Sequence, residues 1–229
     1  MGSIALVGGD EFRPDCEPMD RTLLDSIARQ PPRVVILPTA AARQGPGLAA
    51  KNGERWFRRL GADAKALMIV SALEASDPTL LAALDDADLL YLTGGDPAML
   101  LAILQGSAFA EALRRRLRAG ALLAGSSAGA MVLGAAMRFG GLGWTPTLGL
   151  APGVAVLPHH DGPPRAGWQA LRASLSAPDV TPLGIPTATA CVNRDGGPEW
   201  RVIGARAVTV YAADGPYSVS PGERFTLPH

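Results

Sequence analysis

Gly120-Ala-Leu-Leu-Ala-Gly-Ser-Ser-Ala-Gly-Ala-Met131 is the stretch on which the fold turns. Residues 121–124 form a continuous apolar run, the pattern of a strand buried on both faces. Gly125-Ser126-Ser127-Ala128-Gly129 follows as a turn of small residues, and 130–136 are again small, apolar and good at forming helix. Strand, sharp turn and helix around Gly-x-Ser-x-Gly make a nucleophile elbow. A nucleophile at the tip of such a turn has strained backbone angles, so its neighbours must be small. The helix that follows points its first N–H groups back at the turn, where they favour negative charge. Ser127 is thus the candidate nucleophile, and the Ala128 N–H a candidate oxyanion donor. The plainer alternative is a glycine-rich loop that only packs a helix close to a sheet. The pattern alone leaves both readings open.

Upstream of the elbow, strands and helices alternate. Residues 3–7, 34–37, 64–70 and 88–92 read as apolar strands. Helical spacing appears at Met19, Leu23, Leu24 and Ile27, then around Trp56, Phe57 and Leu60, then at Leu80, Leu81 and Leu84, and again at Met99, Leu100 and Ile103. Pro31-Pro32 stops the first helix, while Asp96 and Pro97 are suited to cap and start a later one. Apolar strands separated by amphipathic helices imply a three-layer α/β fold, its mostly parallel sheet covered on both faces. Working loops in such sheets lie at the carboxyl ends of the strands. The loops after Val7, Leu37, Leu92 and Ala124 should therefore share one rim. Gly8-Gly9-Asp10-Glu11-Phe12 spells the diguanylate cyclase signature. That motif belongs on a hairpin well inside its domain, and here it follows the first strand directly, so the Gly pair reads as a strand-end turn.

Residues 137–151 are rich in Gly and read as loop. Beyond them, 154–157 forms a strand, a helix follows around Trp168 and Leu171, and 189–192, 200–203 and 207–211 are strand-like. The expected result is a single domain, 1–229, with a β-rich C-terminal end. Hydrophobic residues make up 48% of the chain and acids balance bases at 21 each, so the composition is globular and offers no basic surface for nucleic acid or membrane. Arg114-Arg115-Arg116 with Arg118 lies on a helix whose apolar stripe is Phe109, Leu113 and Leu117, and reads as a solvated face. Cys16 and Cys191 are too few for a disulfide framework. With no secretory leader and no run long enough to span a bilayer, the expected location is the cytoplasm.

A serine nucleophile needs a base within hydrogen-bond reach. His159 and His160, at a strand end on the same rim, are the internal candidates; the alternative is a surface His pair. Gly94-Gly95, at another strand end, can turn its amides toward a developing oxyanion.

Leu92-Thr93-Gly94-Gly95-Asp96, the Gly125–Ala130 turn and Pro158-His159, in this order, resemble the peptidase E and cyanophycinase family of serine peptidases. Gly8-Gly9, Leu37-Pro38-Thr39-Ala40, residues 148–154 and residues 221–225 extend the resemblance along nearly the whole chain. The family fold is similar to that of class I glutamine amidotransferases, whose elbow nucleophile is cysteine; serine here disfavours glutaminase chemistry. The resemblance implies Ser127 as nucleophile, His159 as base, and Gly94, Gly95 and Ala128 as oxyanion donors. It implies a small peptide substrate cut next to aspartate, with no metal or organic cofactor, and it leaves room for a homodimer. Choosing an aspartate side chain would require a rim cation. Arg43, Arg138 and Arg165 lie in suitable loops, with Asp96 beside the oxyanion glycines.

One element of a triad is missing from its usual places. Residues 128–158 and 184–190 contain no acid. Asp161 is the nearest candidate, two residues past His159, ahead of Asp179, Asp10 and Asp96. Without an acid, a backbone carbonyl or amide side chain would have to hold the imidazole. Otherwise the site has lost catalysis and kept binding. A transferase on the same scaffold is the remaining alternative.

Overall fold

The computed structural model describes residues 1–140, 143–164, 167–175 and 179–228. Five parallel strands lead: β1 (Ile4–Val7), β2 (Arg33–Leu37), β3 (Asp63–Ala66), β4 (Leu89–Leu92) and β5 (Leu122–Ser126). Between and after them come α1 (Glu17–Asp25), α2 (Pro46–Arg59), α3 (Pro78–Ala82), α4 (Pro97–Leu104), α5 (Ala108–Arg118) and α6 (Ala128–Leu133). The C-terminal part adds β6 (Ala136–Arg138), β7 (Trp144–Pro146), β8 (Val154–Leu157), α7 (Trp168–Ala173), β9 (Thr181–Gly184), β10 (Thr189–Asn193), β11 (Glu199–Gly204), β12 (Val208–Tyr211), β13 (Pro216–Val219) and β14 (Arg224–Thr226). The main sheet runs β14-β11-β10-β1-β5-β4-β2-β3; its first three strands are joined antiparallel to the parallel block.

Strand alternation sorts the core into two layers. Leu6, Leu37, Leu92 and Leu123 face α4, α5 and α6, packing with Leu100, Leu104, Phe109 and Leu113. Val7, Ile36, Tyr91 and Ala124 face α1 and α2, packing with Met19, Leu23, Trp56 and Phe57. This is the expected three-layer α/β arrangement with helices on both faces.

Three local expectations differ from the structure. The strand expected over 64–70 ends at Ala66: the Leu67 N–H still reaches the Ile36 carbonyl at 2.9 Å, but the Ile69 N–H turns back to the Leu67 carbonyl at 3.0 Å and the Val70 N–H goes to the Glu74 carboxylate at 2.8 Å. The 137–151 segment holds the β6–β7 hairpin, with Met137 opposite Thr145. The β-rich end is not one extension of the main sheet: β13-β12-β9-β8 form a second sheet. The basic run on α5 is solvated only in part: Arg115 and Arg118 are exposed, with Arg115 paired to Asp85, whereas Arg114 and Arg116 are half-buried and donate to the Leu148 and Ala87 carbonyls. Among the described residues no helix is long and apolar enough to cross a membrane.

Candidate active site

Strands β1, β5 and β4 lie side by side, and their carboxyl ends open onto one rim. β5 ends at Ser126, α6 begins at Ala128, and Ser127 occupies the corner between them with φ 48° and ψ −106°. That conformation lies outside the left-handed helical well and costs on the order of 1–3 kcal/mol. Packing on either side over-determines it. The Ser127 N–H donates to the Val7 carbonyl at 2.9 Å, and its carbonyl accepts from Met131 at 3.0 Å. The flanking glycines let helix and strands touch: a Cβ on Gly129 would come within 2.5 Å of the Leu92 carbonyl oxygen, and one on Gly125 equally close to the Gly129 backbone.

His159 arrives from the second sheet. β8 ends at Leu157, and the His159 N–H donates to the Gly8 carbonyl at 2.8 Å, which stitches the two sheets together at the end of β1. Its imidazole lies across Gly9 and places Nε2 3.0 Å from the Ser127 hydroxyl. The two residues, 32 positions apart in the chain, form one hydrogen-bonded pair. His160 points the other way: it is buried, its Nε2 2.7 Å from the Tyr211 hydroxyl.

Gly9 makes this geometry available. Its φ is +128°, and a Cβ there would sit 2.2 Å from His159 Cε1. Gly9→Ala is therefore expected to push the imidazole off Ser127. The expected outcome is about a tenfold drop in kcat, in line with the steep distance dependence of positioned groups, checked by steady-state kinetics with the His159 ring resonances as a structural readout.

The candidate oxyanion donors separate. The Gly94 N–H is already engaged, donating to Glu11 Oε1 at 2.7 Å, which corrects its assignment to the pocket. Among the described residues the N–H groups of Gly95 and Ala128 have no acceptor and remain available. Asp96 caps α4 as its sequence position suggested, its Oδ1 accepting from the Ala98 and Met99 N–H groups at 2.9 and 3.1 Å. Arg43 and Arg138 are exposed; Arg165 lies outside the described residues.

Asp161 does not orient His159. Its Oδ1 accepts from the Thr187 N–H at 3.1 Å and the Thr187 hydroxyl at 2.8 Å, and pairs with Arg206. Partial burial pushes this carboxyl up, but the Thr187 bonds and the Arg206 guanidinium outweigh it and hold the group below the usual carboxylate range. An acid two residues past His159 faces away once β8 has ended and the chain turns at His159, where φ is 52°. Among the described residues no acceptor reaches His159 Nδ1. Neither cysteine offers a competing nucleophile: both are buried, and desolvation, with Asp20 adding to it, pushes the Cys16 thiol up to about 12.

Two acids at this end of the molecule were not among the candidate site residues. Glu11 reaches the back of the site from the turn after β1. Asp20, on α1, is fully buried under the same loop. The signal for Glu11 was positional: it is an acid on a strand-end loop of the rim.

Comparison with known proteins agrees with this layout. The profile of Peptidase family S51 matches residues 4–188. Cyanophycinases of Trichormus variabilis and of Nostoc sp. are each 31% identical over 222 residues, spanning 91% of this chain and 72% of theirs. The crystal structure of a peptidase from an acI-B1 Actinobacterium matches with a TM-score of 0.83 and 27% identity, covering 99% of this chain and 97% of that one. The family profile spans the elbow, the glycine loop and the strand that precedes His159, and the chain belongs to peptidase family S51.

Proposed function

We propose that this protein is a serine hydrolase that cleaves short peptides or amides through Ser127 and His159. The observation that carries the reading is the 3.0 Å Ser127–His159 contact beside two unengaged amides, those of Gly95 and Ala128. Ser127 Oγ attacks the carbonyl carbon while His159 Nε2 takes its proton. The tetrahedral oxyanion is held by the Gly95 and Ala128 N–H groups. The imidazolium then gives its proton to the leaving amine, and an acyl group remains on Ser127. Water, activated by the same Nε2, releases the acid and restores the hydroxyl.

The substrate side chain is proposed to be aspartate, by likeness to the family, with Arg43 or Arg138 as the exposed cation that receives it. A second reading rests on the unpartnered Nδ1: a member that binds its ligand and no longer turns it over. A fluorophosphonate probe separates the two. Stoichiometric covalent labelling that disappears in Ser127→Ala supports the hydrolase. Absence of labelling from pH 6 to 9, with binding of Asp-containing dipeptides retained in calorimetry, supports the binding protein instead.

A further inference from the structure

Glu11 joins the two halves of the oxyanion pocket. Its Oε1 accepts from the Gly94 N–H at 2.7 Å, and its Oε2 accepts from the Ser126 hydroxyl at 2.6 Å. Gly94 directly precedes Gly95, and Ser126 directly precedes Ser127. One carboxylate thus spans the ends of β4 and β5, the two segments whose amides would have to converge on a single oxygen. The space is tight: a Cβ on Gly94 would lie 3.1 Å from Glu11 Oε1 and 3.5 Å from Ser127 Cβ. The acid, the glycine loop and the nucleophile therefore meet at one point.

The loop that carries Glu11 is itself held in an unusual shape. Asp10 and Phe12 have φ of 59° and 64°, flanking Glu11 with left-handed backbone. Phe12 packs against Phe57 and Tyr91 with ring centroids 5.9 and 5.3 Å away, and the Cys16 thiol donates to the Asp10 carbonyl at 3.2 Å. A turn strained at two non-glycine residues and pinned by an aromatic cluster places this carboxylate against Gly94 and Ser126.

We infer that Glu11 is a positioning residue for the hydrolase reading above: it fixes the Gly95 amide relative to the Ala128 amide and Ser127 without touching the reacting atoms. The inference rests on that reading and adds to it the part that sets the width of the pocket. A misplaced oxyanion donor costs turnover and not ground-state binding, because the oxyanion exists only in the transition state. The required property is one acceptor for the Gly94 N–H and one polar partner for the Ser126 hydroxyl, which can rotate to accept; an amide, accepting from Gly94 through its oxygen and donating to Ser126 through its NH2, should therefore serve where a methyl group does not.

The test uses aspartyl p-nitroanilide as substrate with wild type, Glu11→Ala, Glu11→Gln and Ser126→Ala, folded fraction being read by circular dichroism. Expected is about a tenfold fall in kcat for Glu11→Ala with KM within about threefold, and rescue to within about threefold of wild type in Glu11→Gln. The Gly94 amide should exchange with solvent faster in Glu11→Ala than in Glu11→Gln. Should Glu11→Ala fail to fold, Ser126→Ala, which cuts one arm only, carries the test with about a threefold fall in kcat. Unchanged kcat in the variants that remove an arm, or equal losses in Glu11→Ala and Glu11→Gln, overturn the positioning role. A wild type that neither takes up the fluorophosphonate nor cleaves the anilide fails earlier, at the hydrolase reading itself.

Discussion

Replacing His159 with alanine is expected to lower kcat by about 10²-fold, and replacing Asp161 with asparagine by less than about threefold. Both figures follow from the same absence at Nδ1. In a subtilisin-type triad, loss of the serine or the histidine costs about 2 × 10⁶ in kcat, while loss of the aspartate alone costs about 3 × 10⁴. The residues act as a unit, so once the acid is gone the base has only the ratio of those two numbers left to lose. Here the Asp161 carboxylate is committed to Thr187 and Arg206, and no other carboxylate bonds to His159 among the described residues. On the proposed hydrolase reading, the wild type then already works as a dyad. Ser127→Ala should match His159→Ala, since neither half is useful alone. The measurement is kcat on aspartyl p-nitroanilide for the four proteins, with thermal melting to confirm folding. A 10⁶-fold loss in His159→Ala would mean that an acid does reach Nδ1 during turnover. A 10⁴-fold loss in Asp161→Asn would identify that acid as Asp161, swung out of its contact with Arg206.

Much of this site was legible in the residues because its parts have local causes. The elbow is written in Gly125, Ser127 and Gly129; at either glycine a Cβ would lie 2.5 Å from neighbouring backbone, so only glycine fits. The parallel block was legible because strands buried on both faces lose their alternation, so Val34–Leu37 and Leu89–Leu92 stand out as unbroken apolar runs. His159 followed from chemistry: a serine needs a base, and few histidines exist in the chain. What escaped were relations between segments. The split of the C-terminal strands into a second sheet depends on which edges pair, and Val208–Tyr211 carries no mark of preferring Thr181–Gly184 over the main sheet. The pairing of Asp161 with Thr187 and Arg206, and of Glu11 with Gly94 and Ser126, joins residues 26 to 115 positions apart. Side-chain acceptors of that reach leave no periodicity. The expected strand over 64–70 stops at Ala66 because the chain turns back on itself, the Ile69 N–H donating to the Leu67 carbonyl, a local turn that the apolar run of 67–70 does not announce.

Asp20→Asn is expected to make the protein more stable at pH 8 and to flatten the dependence of stability on pH. Asp20 has no exposed surface; its Oδ2 accepts from the Trp56 indole N–H at 2.8 Å, and its Oδ1 has no partner among the described residues. Burial pushes its carboxyl up to about 7 from an ordinary 3.8; the Trp56 bond opposes this and the nearby Glu11 adds to it. The folded protein thus holds a proton that the unfolded chain has released between about pH 4 and pH 7, so stability falls as pH rises through that window. Below it the group is neutral and carries only the pH-independent cost of burying a carboxyl with one unpartnered oxygen; above it the fold also carries a desolvated charge. Three pKa units correspond to about 4 kcal/mol at about 1.4 per unit, and relaxation around the charge brings the expectation to roughly 2–4 kcal/mol. Asparagine keeps the acceptor for Trp56 in a group of the same shape that never ionises. In urea titrations from pH 4.5 to pH 8, the difference in unfolding free energy between variant and wild type should grow with pH and level off above about 7. At pH 8 the melting temperature of the variant should be higher by roughly 5–10 °C for a chain of this length. A difference that stays constant across the titration would show that Asp20 titrates alike in the folded and unfolded chain. The charge would then have to be stabilised by a partner that its buried position, bonded to one indole N–H, does not supply.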